Sequence, residues 1–318
     1  MTVDVLTFGE ALLRLTPPGH RRLVQTHTLE MHIGGSELNT AVGLARMGLS
    51  VAWLSRLTDN ALGRLIERTL LVERVDGSHI TWTDADRIGT YYMEEGRGVR
   101  ASQVIYDRAH SAISHIQPTD LDLNALLVKP PRLLHLTGIT PALSQRAAAT
   151  VHHLADACHE RGVPLSFDLN YRAKLWDAQS ALSTCDRLMQ TARYLFIPAR
   201  DAAHLLNCTD LTDLHARYPN ATIIMTRGAD GASAITPAGD VVHHPIFATE
   251  TVCRVGGGDA FAAGFLYASL QEHDLRACLR YGAALAALKY SLPGDMPLVD
   301  PAQVHQLVQS GGGADIAR

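Results

Sequence analysis

Cysteine is scarce in this chain and badly placed for pairing. Its five residues, Cys158, Cys185, Cys208, Cys253 and Cys278, are odd in number, far apart and without a CxxC spacing. That pattern indicates neither a disulfide framework nor a thiolate zinc site, and it fits the reduced thiols of a cytoplasmic protein. Long apolar runs are missing too. None reaches the roughly 20 residues a membrane-spanning helix needs, and the opening MTVDVLTFGE carries Asp4 and too few apolar residues for a signal peptide. No one sign of charge dominates: 28 Lys and Arg mix with 32 Asp and Glu for a net charge of −4. With no basic stripe, nucleic acid and anionic lipid are poor partners and a small molecule is the better one. Sixteen histidines include the pairs His152-His153 and His243-His244, but no HExxH frame, so solvated or core histidines are expected rather than metal ligands. The common nucleotide fingerprints GxxxxGK[ST], GxGxxG and GxSxG are absent, so any nucleotide chemistry must use another design.

What the chain does contain is 47% apolar residues over 318 positions, ample for one large α/β core. The runs VDVLTFG, SVAWLS, RLLHLTG, PLSFDLN, YLFIP and ATIIMTRG are short and apolar, and segments of helical period separate them, which is the alternation of a parallel sheet. Between Gly35 and Gly48, Leu38, Ala41, Val42 and Ala45 follow the i, i+3, i+4, i+7 rule, and Gly48 supplies a C-terminal stop. Two stretches break the alternation, residues 11–33 and 87–112, with alternating polarity and turn residues; together they predict a small β lid inserted into a single domain spanning 1–318. The tail SGGGADIAR reads as frayed.

In open parallel sheets ligands sit at the C-terminal strand ends, where GG at 34, DLNYR at 168, TRGADG at 226 and GGGD at 256 fall. Taken alone, GGGD is a flexible turn with Asp259 as an ordinary N-cap. The functional alternative makes Gly256, Gly257 and Gly258 an anion hole at a helix N-terminus. Asp259 then takes the proton of an attacking hydroxyl, so that carboxylate and anion site serve one phosphoryl transfer.

GGSELNTAVGLARMG and VGGGDAFAAGF resemble the two signatures of the PfkB (ribokinase-like) carbohydrate kinases, in the right order and over essentially the whole chain. Within that family LHLTGITPALS, DLNYRAKLW, VIYDRAHSAI and ALKYSLPGD are most similar to 2-keto-3-deoxygluconate kinases. The resemblance implies a three-layer α/β/α sandwich with a small β-sheet lid, and ATP with Mg²⁺ as cofactors. It makes Asp259 the catalytic base and Gly256 to Gly258 the anion hole. Asn170, Thr226, Arg227, Gly228 and Gly231 are implied at the nucleotide, and Gly34, Gly35, Ser36 and Asn39 at the sugar. Tyr91, Tyr106, Arg108 and Arg172 are implied near the substrate; each arginine taken singly reads as a solvated surface residue, but a sugar acid carries a carboxylate that guanidinium groups can grip.

Departures from the family pattern are equally specific. Cys253 stands where an acidic residue is common, and TDN replaces an acidic pair. The NxxE motif tied to magnesium aligns with ARDA, leaving Ala199, Ala202 and only Asp201, which is expected to act on metal-bound water. The reading is an ATP-dependent kinase of 2-keto-3-deoxygluconate, dimeric through its lid. A kinase of a neutral sugar such as fructose and an inert sugar- or nucleotide-binding relative are the alternatives.

Overall fold

The computed structural model describes residues 3–311; residues 312–318 of the tail read as frayed lie outside the described residues. Nine strands form the main sheet, in the spatial order Val241–His244 (β15), Ala232–Ile235 (β14), Thr222–Thr226 (β13), Ala192–Pro198 (β12), Leu165–Asp168 (β11), Leu133–Thr137 (β10), Val5–Phe8 (β1), Val51–Leu54 (β4) and Val75–Asp76 (β6). All neighbours from β13 to β6 run parallel, and β14 and β15 close one edge antiparallel. The six runs recognised in the sequence are the six long parallel strands. The edge hairpin and β6 escaped, because each is short and too polar on one face to give a continuous apolar run.

Side chains alternate across this sheet and feed two separate apolar clusters. Val5, Val51, Trp53, Phe196 and Ile224 belong to one; Leu6, Ala52, Leu54, Leu195, Ile197 and Ile223 belong to the other. Helices Ser36–Arg46 (α1), Gly257–Leu270 (α8), Leu275–Tyr290 (α9) and Pro301–Ser310 (α10) cover the first face. Helices Gln145–Glu160 (α4), Ala178–Thr191 (α5) and Leu211–Arg217 (α7) cover the second, so the architecture is α/β/α in three layers. Side-chain caps start most of them: Ser144 accepts from Ala147 N, Asp177 from Ser180 N and Asp274 from Ala277 N. Helix α1 is buried nearly all round, its polar Glu37, Asn39 and Thr40 included, which the apolar period alone did not foretell.

A second sheet leaves the C-terminal side of β1. Its order is Glu30–Gly34 (β3), Leu12–Thr16 (β2), Gly89–Glu94 (β8) and Gln103–Asp107 (β9), drawing two strands from each of the two interrupting stretches. β2 and β8 pair in parallel and the outer strands pair antiparallel. This small sheet stands over the strand ends where the four candidate loops converge.

Candidate active site

The floor of the site is the meeting of two helix N-termini. Gly43 on α1 faces Ala263 on α8 so closely that a Cβ there would press on the alanine methyl, and the two helices start side by side. Asp259, in the first turn of α8, accepts from Ser36 Oγ at 2.6 Å and from Asn39 Nδ2 at 2.7 Å. Asn170 Nδ2, from the loop after β11, donates to Ser36 Oγ at 2.8 Å, so three segments converge on one carboxylate. Gly256 precedes the helix at φ 79°, a left-handed value that glycine adopts without strain. Gly257 N donates to the Arg254 carbonyl at 3.4 Å; the remaining first-turn N–H groups of α8 and its dipole favour negative charge beside Asp259.

The roof is held by charge. Arg14 on β2 is fully buried and donates from Nη1 to Asp295 Oδ1 at 2.9 Å, and from Nη2 to Glu95. The Tyr91 hydroxyl on β8 donates to the other oxygen of Asp295. Between β1 and β2, Glu10 accepts from Arg108 Nη2 on one oxygen and from Ser111 Oγ on the other. Between floor and roof lies a cavity of about 760 Å³.

Burial moves the protons of this site. It pushes the Asp168 carboxyl up to about 8, helped by the charge of Asp259 and opposed by Arg172. Glu37 is pushed up to about 7 in the same way, although its Oε1 accepts from Thr137 Oγ1 and Thr140 Oγ1, each at 2.8 Å. Desolvation also raises Asp259, against the donors Ser36 and Asn39 and the field of Arg172.

Gly35, Ser36, Asn39, Tyr91, Tyr106, Arg108, Asn170, Arg172, Thr226, Arg227, Gly228, the three glycines 256–258 and Asp259 all line this one cavity. Gly34, Gly231 and Asp201 do not. Gly34 packs its Cα against the Asp295 carboxylate, and Gly231, at φ 84°, leaves room for the His244 carbonyl at the start of β14. Two expectations change, those for Asp259 and Arg108. Asp259 is not an N-cap: the helix begins two residues earlier with Gly256 as its cap, and the carboxylate turns to α1 instead. Asp201 is buried just outside the cavity lining, its Oδ1 3.3 Å from Arg200 Nε and its Oδ2 without a hydrogen-bond partner among the described residues. Arg108 is not a solvated arginine, being 9% exposed, committed to Glu10 and 5.5 Å from the Tyr106 ring centre. Arg172 is half-buried, bonds only to the Tyr171 carbonyl at 3.3 Å and has no carboxylate partner among the described residues.

Glu10, Arg14, Glu37, Asp168 and Asp295 went unread as functional candidates. A signal existed for one: Glu37 is a charged residue inside an apolar helical run. Arg14 and Asp295 lie 281 residues apart and had none.

The donor set also bears on magnesium. Among the described residues no group of three or more His, Cys, Asp or Glu side chains is placed to hold a metal ion. Of the cavity's carboxylates, Glu10, Glu37, Asp168, Asp259 and Asp295 each accept hydrogen bonds from protein neighbours.

Comparison with known proteins agrees with this geometry. The family model for pfkB family carbohydrate kinases matches residues 3–301. The 2-dehydro-3-deoxygalactonokinase of Haloferax volcanii is 38% identical over the full length of both chains. The 5-dehydro-2-deoxygluconokinase of Geobacillus kaustophilus is 26% identical, over 94% of this chain and 91% of its own. Among solved structures, the 2-dehydro-3-deoxygluconokinase of Thermotoga maritima superposes with a TM-score of 0.88 at 30% identity, over 97% of this chain and all of its own. Its fold is ribokinase-like, and the chain belongs to the pfkB family of carbohydrate kinases.

Proposed function

We propose that this kinase phosphorylates 2-keto-3-deoxygluconate to 2-keto-3-deoxy-6-phosphogluconate, with ATP as donor. The observation that carries the reading is the bond chain from Asn170 through Ser36 to Asp259, beside the glycine N-terminus of α8 and in one cavity with the unpaired Arg172. Asp259 takes the proton of the acceptor hydroxyl. The hydroxyl oxygen bonds to the γ-phosphorus, the bond to the bridging oxygen breaks, and ADP leaves. The N–H groups of Gly256 to Gly258 face the charge that spreads over the transferring group, where a fixed dipole needs no reorganisation. Asn170, Thr226, Arg227 and Gly228 border the nucleotide, and Gly231 shapes their loop from behind. Magnesium, held chiefly by the nucleotide phosphates and water, neutralises phosphate charge when bound. Gly35, Ser36, Asn39, Tyr91 and Tyr106 border the sugar, with Gly34 supporting them against Asp295.

Arg172 is the group that favours an acid over a neutral sugar, because its guanidinium lines the cavity within the field of Asp168 and Asp259 but makes no salt bridge among the described residues. The Haloferax volcanii relative supports a second reading, the galactonate epimer, since the charge that Arg172 meets is common to both. An ADP-release assay on both epimers, 5-dehydro-2-deoxygluconate, fructose and ribose tests this. The highest kcat/KM is expected on a 2-keto-3-deoxy acid. Preference for fructose or ribose would remove the sugar acid, and no turnover on any of them would leave an inert relative.

The small sheet is read as a lid that excludes water from the reaction. Its edge strands β3 and β9 expose Met31 at 48% and Ile105 at 57%. Such edges need cover, which supports a homodimer formed through the lid; light scattering that finds a monomer at micromolar concentration removes it. Five free, buried cysteines support a reducing, cytoplasmic setting, and no helix among the described residues is long and apolar enough to cross a membrane.

A further inference from the structure

Lys289, in the last turn of α9, is fully buried, yet its ammonium meets no carboxylate at salt-bridge distance among the described residues. Its Nζ donates to two backbone carbonyls instead, Leu292 O at 3.3 Å and Cys253 O at 3.4 Å. Burying a cation with only neutral acceptors is costly, and here burial lowers the lysine's pKa. The location gives the cost a purpose. Cys253 stands three residues before Gly256, and Leu292 three residues before Asp295.

These two segments are the halves of one junction. Val252 N and Cys253 N donate to the Tyr290 carbonyl at 2.8 and 3.1 Å. A Cβ on Gly256 would run into the Asp295 carbonyl, and one on Gly257 into the Tyr290 ring. The glycine loop therefore rests on the chain that leaves α9, and Lys289 stands beneath the contact.

We infer that Lys289 is a positioning residue that ties the Cys253 and Leu292 carbonyls together and so fixes the backbone of Gly256 to Gly258 for phosphoryl transfer. The inference rests on the reading of that loop as the anion cradle. A cradle displaced by about 1 Å can cost on the order of a hundredfold in rate without loss of substrate binding. The alternative is a plain anchor for α9, which would affect stability and leave turnover alone.

The test uses the full-length enzyme on whichever sugar it turns over best, so the outcome does not depend on the sugar assignment. Lys289→Met and Lys289→Gln should fold and keep the parent's KM for sugar, with kcat lowered about ten- to a hundredfold. In Lys289→Ala, methylammonium chloride should restore part of kcat where tetramethylammonium chloride at equal ionic strength does not. The inference is overturned if kcat stays within about twofold of the parent, if both salts act alike, or if none of the three variants folds. Gly257→Val separates the two layers of the argument. Unchanged kcat there removes the cradle itself, whereas a loss there beside normal turnover in Lys289→Met removes only the lysine's part.

Discussion

On the floor of the cavity Asp259 is held by neutral donors, a serine and an amide at 2.6 and 2.7 Å, and it looks out on helix N-termini. Under the small sheet the acids are held by charge: Asp295 by Arg14, and Glu10 by Arg108. The difference assigns different work to the two regions. A carboxylate with neutral donors and no cation in contact keeps its basicity, so it can receive a proton. A carboxylate locked to a guanidinium is fixed in position, which suits the attachment of a roof to its base.

Replacing the floor carboxylate should give the largest change. Asp259→Asn keeps the shape and one of the two accepted hydrogen bonds, so ATP and sugar binding should persist while kcat falls by about two to four orders of magnitude. Single-turnover kinetics beside equilibrium binding would check it, and a variant retaining most of its turnover would end the assignment of Asp259 as base.

The roof should answer in stability before it answers in rate. Arg108→Leu leaves Glu10 buried, 3% exposed, with its cation gone, a change that costs about 3 to 5 kcal/mol. Thermal melts should show it, and the double variant with Glu10→Gln should recover much of the loss because no charge is stranded. If the single variant melts with the parent, Arg108 is not the structural tie described here.

Arg172 lies between the two regions and belongs to neither kind of pairing. Arg172→Leu should leave the melting temperature near the parent's and lower kcat/KM on a 2-keto-3-deoxy acid about ten- to a hundredfold, the loss of one charge-assisted partner worth about 1.5 to 3 kcal/mol. Activity on neutral hexoses should hardly change. Equal losses on both classes would mean that Arg172 supports the site without reading the acid.

The smallest effect concerns protons behind the floor. The Glu37 carboxyl is raised from an ordinary 4.5 to about 7, so between those values the folded chain keeps a proton that the unfolded chain has released. Its contribution to stability is complete below pH 4.5 and is lost as pH rises toward 7; Asp168, raised from 3.8 to about 8, acts with the same sign. Glu37→Gln should therefore lose less melting temperature than the parent between pH 5 and 7, by a difference on the order of a few degrees. Parallel pH dependence in the two proteins would show that Glu37 is ionised in the fold.

Much of this could be read before any coordinates. The strand positions and the GGGD loop are local: an apolar strand buried on both faces announces itself as a short continuous run, and three glycines before a helix expose N–H groups whatever packs around them. The edge hairpin β14–β15 was missed because its outer strand alternates exposed and half-buried residues and imitates a loop.

The amino-acid sequence by itself determined the parallel core, the order of the loops at its strand ends and the pairing of a carboxylate with a glycine-rich helix start. Each of these follows from spacing within a few residues. The tertiary structure alone decided which charges answer one another. Arg14 finds Asp295 across 281 positions, Arg108 is claimed by Glu10, Arg172 is left open to the cavity, and Lys289 is buried against two carbonyls. No local pattern encodes such choices, because the strength of a charge pair depends on burial and distance, and both are set only when the two sheets and the helices between them have packed.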